Sequence, residues 1–485
     1  MSVPDPVAFG TARGRWVLIA AVLGSGIAFL DGSVVNAALP AIARDFDAGV
    51  DALQWTLTAY LLTQGSLLVL GGSLGDLYGR RRVFVYGLIG FAFASLLCAI
   101  SQSSTQLEIA RALQGVAAAA LVPGSLALLS SSFRVEDRGR AIGAWSGLAG
   151  VATAAAPFLG GFLIDSVSWR LVFVINLPLV LIAVVITMKW VPESRDDEQG
   201  VRIDVLGAVT LSIGLAGVVY ALIEGPAGAS TGVVVAAAVV GGASLVAFFI
   251  VEARQEHPMV PLTLFKSRQF SGANLVTLAV YAALGITTFL VVVHLQTNLG
   301  YSALEAGAAL LPITFIMLVF SARSGALAQR IGPRLPMTVG PCVVGVALLL
   351  LSRIEPGTSY VDGVLPGMVV LGAGLAVTVA PLTATVLASV DDHHMGIASA
   401  INNAASRIAS LLAIAVLPGV TGLSEDFDAG YQQSLVIAAV LAVIGGIISW
   451  ITIRTAFPVR SVPHVPVGPS CHGSDTRRPQ SSVAA

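Results

Sequence analysis

The sequence predicts an all-α polytopic membrane protein with fourteen transmembrane helices. Of its 485 residues, 56% are hydrophobic and only 11% are charged, whereas soluble domains carry about 25% charged residues. A helix needs about 20 residues to cross the hydrocarbon of a bilayer, and fourteen apolar runs are long enough. The predicted spans are 16–39, 53–74, 83–102, 106–131, 140–164, 171–190, 205–223, 232–252, 272–294, 304–323, 335–353, 361–385, 395–420 and 432–453.

The chain divides into two halves around the seventh and eighth spans. Two longer loops, Pro192–Asp204 and Glu252–Ser271, flank this pair. A weak repeat supports the division, because GSLGDLYG at 72–79 follows span 2 and GALAQRIG at 325–332 follows the second span of the second six. Parallel repeats are a known transporter architecture. The alternative is a chance similarity between two glycine-rich loops.

This division predicts five regions. They are a cytoplasmic N-terminus (1–15), an N-terminal six-helix bundle (16–190), cytoplasmic linkers with two extra transmembrane helices (191–270), a C-terminal six-helix bundle (271–455) and a cytoplasmic tail (456–485). The tail is rich in proline, serine and charge, a composition typical of disorder.

The distribution of basic residues predicts the orientation. One set of loops carries most of the lysines and arginines, and the opposite loops carry only Arg44, Arg170 and Arg353. Cytoplasmic loops are enriched in these residues, so we expect both termini in the cytoplasm, in agreement with an even number of spans. The protein is predicted to cross the cytoplasmic (inner or plasma) membrane many times, with the lipid bilayer as its surroundings.

Composition also excludes several classes of function. The net charge of −1 leaves no broad basic face for nucleic acid. The three cysteines are scattered, and no cysteine or carboxylate cluster has metal-ligand spacing, so neither a disulfide framework nor a metal site is predicted. The sequence contains no GxxxxGK[ST] phosphate-binding loop and no catalytic pattern. We therefore expect a protein that is not an enzyme, uses no cofactor, and draws energy from an ion gradient or the substrate gradient.

A carboxylate interrupts the first span, at Asp31. A charge at that depth costs roughly 2.5–3.5 kcal/mol on insertion scales and usually has a partner. From the helical rise, Asp31 lies roughly 12 Å below one end of its span, and Arg111 of span 4 lies about 6–8 Å below the same surface, so the two could meet. One interpretation is a proton site, since a nearby cation biases a titrating carboxylate. The other is a fixed structural ion pair.

Further polar residues are candidates for lining a substrate cavity. Gln114 shares a helix face with Arg111, and Tyr60 and Gln64 face together in span 2. Arg407 lies near the middle of span 13, with Asn403 on its face and Asn402 beside it. Arg407 could hold a carbonyl or an anionic group, or these residues could form a structural hydrogen-bond cluster between helices.

Two glycine-containing segments complete the candidates. The loop GSLGDLYGRRR at 72–82 places one acid, Asp76, among arginines. Span 5 carries a small-residue face suited to close helix packing, with a proline that favours a bend. This face comprises Gly147, Gly150, Pro157, Gly160 and Gly161. Ordinary packing is the alternative explanation for span 5, and topogenic charge for the loop.

Together these residues resemble a known family. The loop at 72–82 is similar to the signature loop of the major facilitator superfamily, and LDGSVVNAALP at 30–40 resembles the helix 1 motif of its fourteen-helix drug:proton antiporters, the EmrB/QacA type. Further similarities are WTLTAY at 55–60, RALQG at 111–115, SWR at 168–170 through NLP at 176–178, LF at 264–265 and GIASAINN at 396–403.

The resemblance implies a major facilitator fold, two six-helix bundles that work by alternating access. It implies that Asp31 and Arg111 take part in proton coupling. It also implies a conformational latch on the cytoplasmic side, formed by Gly72, Asp76, Gly79, Arg80 and Arg81.

The antiporter motif of helix 5 is expected at Ala156, Pro157, Gly160 and Gly161, where alanine replaces the first glycine of the family pattern. In the second half, Gln329 stands at the position of Asp76, so the acid of the latch has no counterpart there.

The leading functional prediction is proton-driven export of a hydrophobic or amphipathic small molecule, whether a drug, an antibiotic or a metabolite. Uptake by proton symport or facilitated diffusion is the first alternative, and a membrane receptor that does not transport is the second. The sequence does not indicate which substrate is carried or whether an adaptor protein takes part.

Overall fold

The computed structural model describes residues 7–195, 204–256, 258–391 and 394–455, and within them the fold is all-helical. Its fourteen long helices are α1 (Ala12–Phe46), α2 (Val50–Tyr78), α3 (Arg80–Ile100), α4 (Ser104–Ser132), α5 (Val135–Ser166), α6 (Leu171–Trp190), α7 (Val205–Glu224), α8 (Thr231–Arg254), α9 (Arg268–Thr297), α10 (Ala303–Ile331), α11 (Arg334–Leu351), α12 (Tyr360–Ala388), α13 (Met395–Val420) and α14 (Phe427–Thr452).

Thirteen of the helices in the described residues are long and apolar enough to cross a membrane, which makes this a multi-pass membrane protein. The exception is α5, which begins with a charged turn and has a shorter apolar stretch at Ala155–Ser166. Most of the helices also extend beyond the predicted spans, whereas the spans 171–190 and 395–420 match α6 and α13. For example, α1 runs from Ala12 to Phe46 rather than over 16–39, because polar end residues continue the helix past its apolar part.

The two halves of the chain repeat one packing plan. In the first half, α1 packs on α5 and α6, α2 packs on α4, and α3 packs on α4 and α6. In the second half, α9 packs on α13 and α14, α10 packs on α12, and α11 packs on α12 and α14. Each pair in the second half is the pair in the first half shifted by eight helices. The correspondence agrees with the weak sequence repeat and with two six-helix bundles.

The first and last helices define two ends of the molecule. We call the end where α1 begins and α14 ends the termini end, and the end where α1 ends and α2 begins the distal end. Arg268, at the start of α9, donates to the carbonyl of Ile451 in α14, which places the start of the second half at the termini end. The segment before α1 docks there too, because the amide of Val7 donates to the carbonyl of Ser132.

The halves meet along a seam formed by three helix pairs, α2 with α13, α5 with α10, and α1 with α9. Within the described residues, every hydrogen bond that crosses the seam comes from the distal part of the bundles. Gln54 Nε2 donates to the carbonyl of Ile414 at 2.6 Å, and Gln296 Nε2 donates to that of Ala37 at 3.1 Å. Asp165 accepts the amides at the start of α10, at 2.7–3.2 Å. The structure is therefore fastened at the distal end.

The inserted pair, α7 and α8, lies beside this seam. The two helices pack closely, because a Cβ on Gly217 would lie 2.6 Å from the carbonyl oxygen of Ala237. Helix α7 contacts both α2 and α13, and Trp55 Nε1 of α2 donates to Glu224 at 2.8 Å. The segment after α8 contains a short 3₁₀ helix, Leu262–Lys266, before α9. The predicted tail, 456–485, lies outside the described residues.

Candidate functional site

Asp31 lies in the interior of α1 with none of its surface exposed. Because α1 continues to Phe46, Asp31 is about 22 Å from the end of its helix rather than roughly 12 Å. Arg111 of α4 is also fully buried, and its Nη1 donates to Asp31 Oδ2 in an ion pair. The predicted meeting of these two residues is confirmed by this contact.

The other carboxylate oxygen of Asp31 has two amide donors. Gln114 Nε2 donates to Oδ1 at 2.8 Å, and Asn176 Nδ2 donates to it at 3.0 Å. Both amides also donate to Ser95 Oγ, at 2.8 Å and 3.3 Å respectively. The guanidinium of Arg111 and these two amides together give both carboxylate oxygens of Asp31 a hydrogen-bond donor.

Arg111 is held on more than one side. Its Nε donates to the backbone carbonyl of Thr56 at 3.1 Å, and its Nη1 donates to Gln114 Oε1 at 2.6 Å. The guanidinium carbon lies 4.3 Å from the centre of the Tyr60 ring, within the range of a cation–π interaction. A planar guanidinium suits several fixed acceptors at once.

This group, which we call the Asp31 network, joins helices α1, α2, α3, α4 and α6 of the first half. Its members are Asp31, Thr56, Ser95, Arg111, Gln114 and Asn176. Asp31 and Arg111 form the one ion pair in the described part of the chain with both side chains fully buried. Removing water from two charges costs several kcal/mol per ion, and good hydrogen-bond geometry is needed to offset that cost. Here the side-chain amides of Gln114 and Asn176 supply these hydrogen bonds.

Tyr60 and Gln64 connect the network to the seam. Tyr60 OH donates to the carbonyl of Ala28 at 3.0 Å and accepts from Gln64 Nε2 at 3.2 Å, which confirms that they face together. Gln64 Oε1 is buried and has no hydrogen-bond partner among the described residues. The next residue, Gly65, faces α13 so closely that a Cβ would lie 3.3 Å from Arg407 Cβ.

Arg407 is partly exposed, and its guanidinium carbon lies 5.5 Å from the centre of the Phe29 ring in α1. Among the described residues it has neither a hydrogen bond nor an ion pair. The structural hydrogen-bond cluster considered for Arg407 is therefore not what the structure shows.

The two asparagines near Arg407 have different surroundings. Asn402 Nδ2 donates to Asn274 Oδ1 at 3.1 Å and Thr277 Oγ1 at 2.7 Å in α9, so it joins helices of the second half. Asn403 donates to the carbonyl of Ser399 in its own helix. Gln114 was expected to line a cavity, but here it is fully buried in the Asp31 network.

The loop between α2 and α3 forms three ion pairs at the termini end. Arg80 Nη2 lies 2.8 Å from Asp76 Oδ1. Glu193, after α6, accepts the amide of Arg81 at 3.0 Å, and its Oε2 lies 3.8 Å from Arg81 Nε and 3.7 Å from Arg82 Nε. The backbone at Gly79 has a φ of +105°, where a Cβ would lie 2.8 Å from Glu193, so the turn requires glycine.

The helix 5 motif lies where α5 is closest to its neighbours. A Cβ on Gly160 would lie 2.2 Å from Val34 Cγ2 of α1, and one on Gly161 would lie 2.4 Å from the carbonyl oxygen of Ala303 in α10. On the other side of the seam, a Cβ on Gly307 would lie 2.2 Å from the carbonyl oxygen of Pro157. Ala156 is buried beside them. These residues allow the two halves to touch at backbone distance.

A family model described as Major Facilitator Superfamily matches residues 21–414, a range that includes the Asp31 network, the α2–α3 loop and the helix 5 motif. The chain belongs to the major facilitator superfamily.

Curated members of the superfamily that resemble this chain are named for drug resistance. It is 35% identical over 463 residues to the puromycin resistance protein pur8 of Streptomyces alboniger, covering 94% of this chain and 89% of that protein. It is 34% identical over 412 residues to the tetracenomycin C resistance and export protein of Streptomyces glaucescens, covering 84% and 76%. The chain is accordingly a transporter of this superfamily and not an enzyme.

Solved structures of transporters share its fold. A D-xylose–proton symporter superposes with a TM-score of 0.66 at 14% identity, covering 91% of this chain and 98% of that one. A peptide transporter superposes with a TM-score of 0.68 at 13% identity, covering 92% and 96%. At such identities the likeness shows the major facilitator fold alone.

Three contacts in the site were not predicted from the sequence. Asn176 had a signal, because it lies in the NLP segment that resembles the family, but nothing in the sequence linked it to Asp31. Ser95 is a single serine in an apolar helix and gives no signal. Glu193 follows the last apolar residues of α6, and its position opposite Arg81 depends on the return of the chain to the α2–α3 loop.

Proposed function

We propose that this transporter is a proton-coupled antiporter of the fourteen-helix drug-exporting branch. It would move a hydrophobic or amphipathic drug, antibiotic or metabolite out across the cytoplasmic membrane, with α5 as the remaining span and both termini in the cytoplasm. The observation that carries the proposal is the fully buried Asp31–Arg111 pair. Its similarity to a puromycin resistance protein and to a tetracenomycin C resistance and export protein supports the export of drugs.

The coupling step would be the gain and loss of a proton at Asp31. The ionised carboxylate has three donors and is the counter-ion of Arg111. Protonation removes that negative charge and leaves a buried cation without a counter-ion, an arrangement that costs about 3–5 kcal/mol. A change of that size shifts a two-state equilibrium by about two to three and a half powers of ten, most of the way to a complete switch. A conformation in which Arg111 has other surroundings then becomes favoured over the one described here.

The structure offers a short route from this pair to the seam. Arg111 stacks on Tyr60, Tyr60 contacts Gln64, and Gly65 packs against Arg407 of α13. A displacement of Arg111 would therefore be transmitted through residues of α2 to the surface between the halves. We propose that Tyr60, Gln64, Asn402, Asn403 and Arg407 border the substrate path in one or another conformation, with Arg407 as the cation nearest to the seam.

Alternating access would use the two ends of the seam in turn. With the termini in the cytoplasm, the hydrogen bonds of Gln54, Gln296 and Asp165 close the outer side in this structure. Gly161 and Gly307 permit that closure. Opening it would require the cytoplasmic side to close, where Gly72, Asp76, Gly79, Arg80 and Arg81 would act as the latch and Glu193 would hold Arg81 in place.

The test is flux in proteoliposomes with an imposed proton gradient. The unmodified protein should move a cationic or neutral amphipathic antibiotic, such as puromycin, in the direction opposite to protons. Asp31→Asn keeps the size of the side chain but cannot exchange a proton, so gradient-driven flux should fall at least about 100-fold while membrane insertion is retained. Asp47→Asn is the matched control, because Asp47 is exposed at the end of the same helix.

Three outcomes would contradict the proposal. Full gradient-driven flux by Asp31→Asn would remove the coupling role of Asp31. Movement of substrate together with protons would identify a symporter instead. Absence of flux by the unmodified protein for a broad panel of amphipathic compounds would favour a receptor.

A further inference from the structure

A pair of buried carboxylates lies far along the chain from Asp31, in the inserted helices. Asp204 precedes the first turn of α7 and Glu252 lies in the last turn of α8, and they are only 6% and 3% exposed. Neither residue belongs to the Asp31 network or to the proposed latch.

The hydrogen bonds of this pair leave one oxygen without a partner. Asp204 Oδ1 accepts the amide of Gly207 at 2.6 Å and Gln255 Nε2 at 2.8 Å. Glu252 Oε2 accepts the amide of Val260 at 2.9 Å. Glu252 Oε1 is buried and accepts no hydrogen bond from the described residues. An unsatisfied buried oxygen of an ionised carboxylate is costly.

The oxygen without a partner, Glu252 Oε1, lies close to the carboxylate of Asp204. A Cβ placed on Gly207 would lie 2.4 Å from Asp204 Oδ2 and 2.8 Å from Glu252 Oε1, so these two oxygens are no more than about 5 Å apart. No lysine, arginine or histidine nitrogen of the described residues lies within 4 Å of either carboxylate. The nearest charged neighbours along the described chain, Arg254 and Glu256, are exposed.

The surroundings of the pair are otherwise apolar or neutral. Besides Gln255 and the backbone amides, the side chains packed around this region form a small core cluster of Val69 from α2, Ala208 from α7, Phe248 from α8 and Met259 from the following segment. Ala400 of α13 packs against the same cluster. Two negative charges so close together in such surroundings repel each other strongly, as in paired catalytic carboxylates that share a single proton.

We propose that Asp204 and Glu252 form a second proton-binding site, which holds one proton between Glu252 Oε1 and Asp204 Oδ2. The bound proton supplies the donor that Oε1 lacks and removes one of the two charges. No covalent step is involved, only the association of one proton with the pair.

The two carboxylates hold the segment that leads from α8 into the second half. Gln255 and the amides of Met259 and Val260 are held by the two carboxylates, and Met259 also packs against α2 and α13 through the shared cluster. Release of the proton would leave two like charges at this point and loosen the segment next to the seam. The proton-binding site itself does not depend on the proposed export function.

Infrared spectroscopy of the purified full-length transporter in detergent tests the site directly. At neutral pH the unmodified protein should show the C=O absorption of a protonated carboxylic acid, and Glu252→Gln should lose that absorption. Glu136→Gln is the control, because Glu136 is an exposed residue at the start of α5 and should leave the signal unchanged. An absorption that is equally strong in the unmodified protein and in Glu252→Gln would overturn the proposal.

Thermal unfolding provides a second readout. If the native state binds a proton that the unfolded chain has released, stability falls as the pH rises. The melting temperature of the unmodified protein should therefore decrease from about pH 5 to about pH 8 more steeply than that of Glu252→Gln, whose amide can donate to Asp204 permanently.

Addition of sodium, potassium, magnesium or calcium at fixed ionic strength separates a proton from a metal cation. No change in melting temperature is expected. A specific rise with one of these ions, together with no acid absorption, would identify a cation site and overturn the proposal. None of these measurements uses a transported substrate, so a failure of the export hypothesis would leave them interpretable.

Discussion

The two halves of this transporter have the same packing plan but different polar interiors. In the first half, five helices converge on one buried ion pair, Asp31 with Arg111. In the second half, the corresponding helices α9 and α12 also pack together but form no ion pair among the described residues, and the polar contact of α9 is a neutral one with α13, where Asn402 donates to Asn274 and Thr277. The fold therefore does not require the ion pair, because the same helix contacts form without one.

The α2–α3 and α10–α11 loops show the same difference on a smaller scale. Gly79 and Gly332 both have positive φ angles, +105° and +86°, so the turn is built in the same way in each half. The first loop pairs Asp76 with Arg80, whereas the second has exposed Gln329 at the matching position. Glycine positions specify the shared backbone, and a few charged residues distinguish the first half.

The largest effect is expected from a comparison of Arg111 and Arg407, the two arginines that lie inside apolar helices. Arg111→Lys keeps the charge but cannot contact Asp31, Gln114 and the carbonyl of Thr56 in one plane, so we expect a loss of about 2–3 kcal/mol in unfolding free energy. Arg407→Lys should cost less than about 1 kcal/mol, because it loses only the contact with Phe29. Denaturation of the purified proteins would measure both. Equal losses would show that the halves do not differ in this way.

A smaller effect is expected at the place where the halves touch. Gly161→Val would put side-chain atoms against the backbone of Ala303 and should cost about 1–3 kcal/mol in the distal-closed state. The exposed Gly143 lies in the same helix, and a Cβ added there would have nothing within 4 Å, so Gly143→Val is the matched control.

Labelling of a cysteine at position 37 would report this change. Ala37 is buried at the seam and its carbonyl accepts from Gln296. Its modification by a water-soluble thiol reagent should be faster in the Gly161→Val background than in the Gly143→Val background. Equal rates would mean that α5 and α10 can separate without opening the distal end.

The smallest difference is expected between one asparagine from each half, Asn176 and Asn402. Asn176→Ala removes a donor to the charged Asp31 and should cost about 1.5–3 kcal/mol, whereas Asn402→Ala removes neutral hydrogen bonds and should cost about 0.5–1.5 kcal/mol. Thermal melting at several pH values would measure the difference. A larger loss for Asn402→Ala would mean that the polar interior of the second half is held more tightly than that of the first half.

Much of the fold was predictable because its causes are local. The apolar runs indicated every helix, and the loops around α7 and α8 marked the division between the halves. The ends of several helices were placed a few residues short, since polar residues such as Arg44 continue a helix beyond its apolar part. Asp31 and Arg111 were found for the same reason, because a charge in an apolar span is conspicuous on its own.

Contacts between distant segments were harder to predict. Gln114 was assigned to a cavity because helical periodicity gives the face of a residue but not what that face meets. The pairing of Glu193 with Arg81 joins positions more than one hundred residues apart, and that of Asp204 with Glu252 joins the two ends of a helical hairpin.

The sequence by itself determined the helices, the division into halves and the buried charge at Asp31, because hydrophobicity and helical rise act along the chain. Only the tertiary structure decided that Asn176 and Gln114 complete the environment of Asp31, that the seam is closed at the distal end, and that Glu252 faces Asp204. Those contacts depend on how separate helices pack against one another. Side-chain donors and acceptors from different helices come within hydrogen-bond distance only after that packing is fixed.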